Sequence, residues 1–236
     1  MHGDDAAGST FTDSARTVNA PHTITTTGSV YVDTSIVMYG TGSANFADPG
    51  IAKLTLADSA DWDFGTGDFC VEGWSYFGDA SSRVTLIDVG GSAAGLKISF
   101  DKSGPTYRTM SVTFKGTEYT RDVEVPMSTW TSWAVNRYNG SIYMFVDGWV
   151  LGETITNAGN MQTTLGVAIG MAIDSTEGFD GNHDEIRISK GACRHTGNYT
   201  PSGPFNPWKV SSSSSNSSSS RSSSSSKSSS SSSATA

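Results

Sequence analysis

The sequence predicts an all-β fold, a two-sheet antiparallel β-sandwich of the jelly-roll kind, and three observations predict it. Short segments of alternating apolar and polar residues recur every ten residues or so, the spacing of sandwiches and barrels. Turn signals separate them: Asp48-Pro49-Gly50, Gly65-Thr66-Gly67-Asp68, Gly90-Gly91, Ser103-Gly104-Pro105, Asn139-Gly140 and Asp147-Gly148. No stretch reads as helical, and no internal repeat of roughly 20 to 50 residues points to a solenoid or propeller.

In chain order, the expected strands are residues 29–32, 52–56, 69–76, 84–87, 96–100, 110–114, 133–138, 142–146, 165–169 and 186–189. In Leu96-Lys97-Ile98-Ser99-Phe100 the apolar residues fall at every second position. One face of that strand is buried and the other wet. Two sheets with such faces bury each other, which is the sandwich. Asn139-Gly140, set between two apolar alternating runs, is the strongest short hairpin signal available, so residues 133–146 are the most secure structural expectation.

After the last strand the composition changes. From Ser211 to Ser233 every residue is Ser except Asn216, Arg221 and Lys227, and no apolar side chain is present to offset the entropy of ordering. Residues 1–207 are expected to form one sandwich domain and residues 208–236 a serine-rich linker or tail. The tail is read as a flexible spacer, with an O-glycosylated stalk as the alternative. Of 15 Lys and Arg, two lie in residues 211–236, leaving 13 against 23 Asp and Glu in residues 1–210. A body with about ten net negative charges argues against a nucleic-acid partner. No apolar run reaches the length of about 18 residues that suggests a membrane span. Met1-His2-Gly3-Asp4-Asp5 is too polar for a signal peptide. The chain is therefore read as a fragment, a mature form, or a protein released by phage lysis. Two cysteines, Cys70 and Cys193, do not make a disulfide framework, and they are expected as free thiols, although a bridge between them is geometrically open. The four His residues and the absence of Gly-x-Ser-x-Gly provide no nucleophilic triad. Zinc is disfavoured because no Cys or second His stands at ligand spacing from His183, which is expected as a polar rim residue.

Two stretches carry a family resemblance. Phe179-Asp180-Gly181-Asn182-His183-Asp184-Glu185-Ile186-Arg187-Ile188-Ser189-Lys190-Gly191 fits a closing strand, and Trp130-Thr131-Ser132-Trp133-Ala134-Val135-Asn136-Arg137, followed by the Asn139-Gly140 turn and Ile142–Gly148, fits the hairpin before it. His2-Gly3-Asp4, Phe11-Thr12-Asp13-Ser14, residues 58–69, and Ala192-Cys193-Arg194 leading to Tyr199-Thr200-Pro201 extend the likeness. Together they resemble the laminin G-like, concanavalin A-like domains of bacteriophage virion proteins and bacterial exoproteins, over most of residues 1–205.

The resemblance implies a non-catalytic extracellular or virion module that binds cell-surface or extracellular carbohydrate. The first alternative is a structural subunit of a phage tail fibre or extracellular filament, with neighbouring copies as partners. The second is a glycoside hydrolase of the same fold, but the Glu-x-Asp-x-x-Glu strand of the glucanase branch is absent. Hydrolysis needs two carboxylates at a set separation, and Asp180, Asp184 and Glu185 have the wrong spacing while Glu72 is alone in its strand.

Relatives of this sandwich often hold a structural calcium ion near the junction of first and last strands, where oxygen ligands suit a hard cation. Asp184 with Asp13 or Asp4 is the constellation that fits. The competing reading has Asp184 and Glu185 pairing with Arg187 or bonding the amino-terminal strand. For sugar, an aromatic plate with amide side chains on loops is the expected chemistry. Trp149 and Tyr107 are the candidate aromatics, and Asn157, Asn160 and Gln162 the candidate amides. Trp74, Trp130 and Trp133 fall in strands and are expected in the core. Asn198 is the candidate glycosylation site among the Asn-x-Ser/Thr triplets, since Asn139 is needed for its turn.

Overall fold

The computed structural model describes residues 8, 10–15, 21–78, 83–103 and 107–205, with the backbone alone for 103, 107 and 108. The expected tail and Asp4 lie outside the described residues. The strands are β1 (Ile24–Thr27), β2 (Val30–Asp33), β3 (Ser43–Phe46), β4 (Lys53–Leu56), β5 (Phe69–Phe77), β6 (Val84–Val89), β7 (Leu96–Ser103), β8 (Tyr107–Phe114), β9 (Thr117–Glu124), β10 (Trp130–Tyr138), β11 (Ser141–Val146), β12 (Trp149–Val150), β13 (Ile155–Thr156), β14 (Val167–Ile169) and β15 (Gly181–Lys190). A 3-10 turn covers Ala60–Trp62.

Two antiparallel sheets result. Sheet A runs β1-β4-β14-β6-β7-β8-β9, and sheet B runs β12-β11-β10-β5-β15-β3-β2, with β13 also paired to β11. The residue-139 hairpin forms as expected, with Tyr138 paired to Ser141. Asn139 and Gly140 both adopt positive φ, 47° and 75°, which a two-residue turn matched to strand twist requires. Asp147 and Gly148 repeat the device, at 46° and 79°, and turn the chain into β12.

Alternation decides what is buried. On β5, Phe69, Val71 and Phe77 face sheet A and join Phe46, Leu54, Leu86, Phe100, Phe114, Trp133 and Phe179 in the core. Each such side chain contributes about 1.5–3 kcal/mol when removed from water. Cys70, Glu72, Trp74 and Tyr76 consequently point to the outer face of sheet B. β15 would continue the same alternation, but its pairing with β5 shifts between Asp184 and Arg187. Glu185 takes φ 52° there, a bulge that puts Asp184 and Arg187 on the same outer face.

Three expectations change. His183 is fully buried between the sheets instead of lying at the rim. Its Nδ1 bonds Ser75 Oγ at 2.8 Å, its ring stacks on Phe179 at 4.1 Å, and burial pushes its pKa down to about 3. Among the tryptophans, Trp133 is in the core, whereas Trp130, paired with Tyr76, is half-buried on the outer face of sheet B. Leu165 stands outside β14 and is 47% exposed. Both cysteines are free.

One buried cation closes the end of the sandwich near the residue-139 turn. Arg137 has no exposed surface, and its guanidinium faces the Phe69 and Phe114 rings at 5.0 and 5.3 Å. It donates to the carbonyls of Gly67 at 2.7 Å, Gly159 at 2.8 Å and Gly65 at 2.8 Å. Burial lowers its pKa from the usual arginine value.

Candidate functional site

The outer face of sheet B holds a buried carboxylate surrounded by cationic side chains. Glu72 is 3% exposed. Its Oε1 accepts from Arg187 Nε at 2.9 Å and Nη2 at 2.7 Å, and from the Cys70 thiol at 3.3 Å. Arg194 Nε lies 3.3 Å from the same oxygen. His195 Nε2 donates to Oε2 at 3.2 Å. Burial alone would raise the carboxyl, but the His195 hydrogen bond and the Arg187 charge outweigh it and hold Glu72 below the usual glutamate value.

Arg194 and His195 belong to a strap, residues 192–205, that crosses this face after β15. His195 stacks on Tyr199 at 3.5 Å, and Tyr199 packs edge-on against Phe145 at 5.5 Å. Asn136 Nδ2 donates to the His195 carbonyl at 3.1 Å. Phe205 covers the Arg187 guanidinium at 3.9 Å, and its N–H donates to Glu185 Oε2. Between strap and sheet remains a cleft of about 50 Å³ lined by Glu72, Trp74, Ser132, Arg187, Tyr199 and Phe205 among others. That is room for a few waters and not for a sugar ring.

The expected ion site is not assembled by the described residues. Asp184 is fully buried; its Oδ2 accepts from Tyr39 N at 3.0 Å and its Oδ1 from Glu185 N at 2.8 Å. Asp13 lies elsewhere, accepting from the His22 and Ala15 N–H groups at 2.9 Å each and facing His22 Nδ1 at 2.9 Å. Among the described residues no group of three or more His, Cys, Asp or Glu suits a metal ion. The alternative reading of Asp184 holds in its kind of contact, a backbone donor, but Arg187 goes to Glu72.

The expected sugar residues are placed apart. Trp149 pairs with Val146 at one end of β11, whereas β13, which leads into the amide loop, pairs with Ser141 and Ile142 at the other. Four residues of strand, about 13 Å, separate those anchor points. Asn157 Nδ2 donates to the Tyr119 hydroxyl at 3.1 Å and its Oδ1 accepts from Gly159 N at 2.9 Å. Asn160 donates to Gln162 at 3.1 Å. Tyr107 opens β8 in sheet A, opposite Glu124 of β9, in a strand and not a loop; its side chain is outside the description.

Trp149 itself is 66% exposed on a braced hairpin. Tyr199 N donates to the Gly148 carbonyl at 2.9 Å, and Val150 N donates to Asn198 Oδ1 at 2.9 Å. A Cβ at Gly148 would stand 1.9 Å from the Tyr199 carbonyl, so only glycine lets the strap come this close. Asn198 is exposed beside this hairpin. The sequence reading missed the Glu72 centre, although alternation along Phe69–Phe77 places Glu72, Trp74 and Tyr76 on one face. Nothing in the sequence marks Arg194 and His195 as their cover.

A family model for the concanavalin A-like lectin/glucanases superfamily, of laminin G type, matches residues 48–196. The chain belongs to that superfamily. Solved structures agree with a concanavalin A-like sandwich. Domain 4 of AbnA, a GH43 extracellular arabinanase from Geobacillus stearothermophilus seen in complex with arabinotriose, has a TM-score of 0.53 at 20% identity, over 73% of this chain and 84% of that one. A structure of botulinum neurotoxin type C, whose cell entry is dependent upon interaction with two ganglioside molecules, has a TM-score of 0.51 at 9% identity, over 71% of this chain and 43% of that one. A botulinum neurotoxin DC binding domain in complex with SialylT scores 0.51 at 9% identity, over 71% and 42%. At these identities the likeness speaks for the fold. No curated protein matches the chain.

Proposed function

We propose that this concanavalin A-like domain is a non-catalytic extracellular or virion module that binds carbohydrate of a cell surface or extracellular polymer. The observation that carries the reading is Trp149, a large aromatic 66% exposed on a two-residue hairpin that both β11 and the strap hold in place. An aromatic plate fixed on a rigid element offers stacking area to a sugar at low entropic cost. The carbohydrate ligands named for the arabinanase domain and the neurotoxin support it at the level of fold.

The carboxylates of sheet B's outer face support the non-catalytic part. Glu72, Asp184 and Glu185 each accept from protein donors, and residues of the strap bond Glu72 and Glu185. A hydrolase needs one carboxyl free to donate a proton and another free to attack or activate water.

The test is calorimetric titration of the chain with arabino-, xylo- and gluco-oligosaccharides, alongside a glycan array. Saturable binding that Trp149→Ala weakens at least tenfold, with the melting temperature unchanged, is the expected result. Release of reducing sugar by the intact chain would turn the domain into an enzyme.

A further inference from the structure

The two sheets end on four strands, β1, β9, β12 and β2, and three of them are short. β1 and β2 have four residues each and β12 has two. On β2, Val32 N also donates to the Gly8 carbonyl at 2.8 Å. Short or covered edges are how folded proteins avoid unwanted pairing. β9 is different. It runs for eight residues, Thr117–Glu124, pairs with β8 from Phe114–Thr117 to Tyr107–Glu124 without a register shift, and contains no proline.

The turn before β9 sets which of its backbone groups face outward. Lys115 and Gly116 both have positive φ, 50° and 77°, the two-residue turn that closes on a hydrogen-bonded pair, here Phe114 and Thr117. Bonded and non-bonded pairs alternate from there. Val112–Tyr119 and Met110–Arg121 therefore exchange bonds, and the N–H and C=O groups of Glu118, Thr120, Asp122 and Glu124 point away from β8. Arg121 Nη1 accordingly donates to the Thr120 carbonyl at 2.8 Å. Among the described residues no backbone group bonds this outer edge. The same four residues lie opposite Thr113, Ser111, Thr109 and Tyr107, on the outer face of sheet A, since Met110, Val112 and Phe114 go to the core. All four are exposed, and three are acidic. Arg83 pairs with Glu118, whereas Asp122 accepts from a hydroxyl, Thr109 Oγ1, at 3.0 Å. On the opposite face, Tyr119 and Val123 pack against the core and are half-buried.

We propose that the outer edge of β9 docks an extended peptide with Lys or Arg at every second position, which joins sheet A as a further strand; the proposal is independent of the carbohydrate reading. Glu118 to Glu124 spans about 20 Å, the length of a seven-residue strand. Strand addition supplies backbone bonds that any peptide can make, so side chains set the choice. Residues of the added strand opposite Glu118, Asp122 and Glu124 share their face, where opposite charges attract and like charges repel. A second copy does not fit. When the outward residues of two β9 strands pair antiparallel, carboxylates meet carboxylates or Thr120 and never a cation. The body's roughly ten net negative charges extend the same preference to longer range. Apolar residues at the alternate positions meet Tyr119 and Val123. Arg121 is the gate: its guanidinium bonds the Thr120 carbonyl and, through Nη2, the Glu153 carbonyl at 3.1 Å, and an N–H of the incoming strand takes its place on Thr120.

The experiment titrates the full chain with a capped peptide of four Lys-Val repeats, with its Glu-Val counterpart, and with a peptide of residues 211–233. Expected are saturable binding of the Lys-Val peptide that salt weakens, no binding of the Glu-Val peptide, and slowed hydrogen exchange at the amides of Glu118, Thr120, Asp122 and Glu124 in the complex. Thr120→Pro removes an outward donor at an edge, where proline is tolerated. It and the double change Asp122→Lys with Glu124→Lys should each weaken binding at least tenfold with the melting temperature unchanged. Arg121→Ala frees the carbonyl and removes a cation, and should tighten binding about two- to fivefold. No binding at millimolar peptide, equal binding of the Lys-Val and Glu-Val peptides, or exchange protection away from β9 overturns the proposal. Tighter binding of the 211–233 peptide overturns it in favour of the chain's own carboxyl-terminal segment, and dimerisation of the free chain that Thr120→Pro abolishes overturns it in favour of a second copy.

Discussion

Two of the buried charged side chains of sheet B, Glu72 and Arg137, are satisfied in opposite ways. Glu72, on the outer face, is surrounded by countercharges: Arg187, Arg194 and His195. Arg137, on the inner face, meets backbone carbonyls from residues 65, 67 and 159. The anion is caged by ions and the cation by dipoles. A buried ion pair must offset the desolvation of both partners, whereas a lone ion among fixed dipoles carries one such penalty and ties down every loop that contributes a carbonyl. The Glu72 cage fastens one strap onto a sheet, and the Arg137 cage gathers two rim loops into the core.

The largest effect that would break this comparison is expected at Arg137. Arg137→Met takes the side-chain donor from the Gly67 and Gly159 carbonyls, while the Gly65 carbonyl keeps Met161 N, and it removes the cation from between the Phe69 and Phe114 rings; a loss of about 3–5 kcal/mol in urea unfolding is expected. A loss below about 1 kcal/mol would mean water replaces the guanidinium and the dipole cage is not structural. Next comes Glu72→Gln, with about 2–3 kcal/mol expected because Arg187 and Arg194 keep their charge and lose its counterpart. Adding Arg187→Met to Glu72→Gln should cost less than the sum of the single changes; strict additivity would show that the pair does not couple.

The smallest effect separates the two cages by pH. Glu72 is held below its ordinary value of 4.5, so its contribution is complete above that value and is lost as pH falls through the lower folded-state value. Arg137 does not titrate there. Between pH 5 and pH 3 the intact chain should therefore lose more stability than Glu72→Gln, while Arg137→Met and the intact chain should show parallel acid profiles. Coincident profiles for Glu72→Gln and the intact chain would remove the carboxylate from the acid response.

Much of the sandwich was legible in the sequence, because alternation and turn chemistry are local. The Asn139-Gly140 hairpin and the strands through Phe69, Leu96 and Met110 needed only neighbours along the chain. β9, Thr117-Glu118-Tyr119-Thr120-Arg121-Asp122-Val123-Glu124, escaped because it is an edge strand of sheet A, and its wet residues are charged or hydroxylic, as edges tend to be. β1, Ile24-Thr25-Thr26-Thr27, has one apolar residue and β3, Ser43-Ala44-Asn45-Phe46, has two, too few for a period to register. The candidate site was less legible for a different reason. Glu72 meets its partners across more than a hundred positions, and no local pattern encodes that meeting. Trp149 was readable as a residue after a turn, yet its separation from Asn157, Asn160 and Gln162 depends on the β11 register. The outward row of β9 is likewise a property of pairing between strands.

The order of strands within the sheets also sets when the molecule can exist at all. β14 lies between β4 and β6, and β15 between β5 and β3, so both layers are completed by residues from the last third of the sandwich. A ribosome that has released only the first 160 residues has released two incomplete sheets, each with a gap where a central strand belongs. The early strands must wait with open, apolar edges, which are templates for unwanted pairing. When the late strands arrive, the contacts they make are distant in sequence, a topology associated with slow folding. Shortening the chain from the carboxyl side into β15 would thus remove a keystone from the sheet and leave no smaller native body behind.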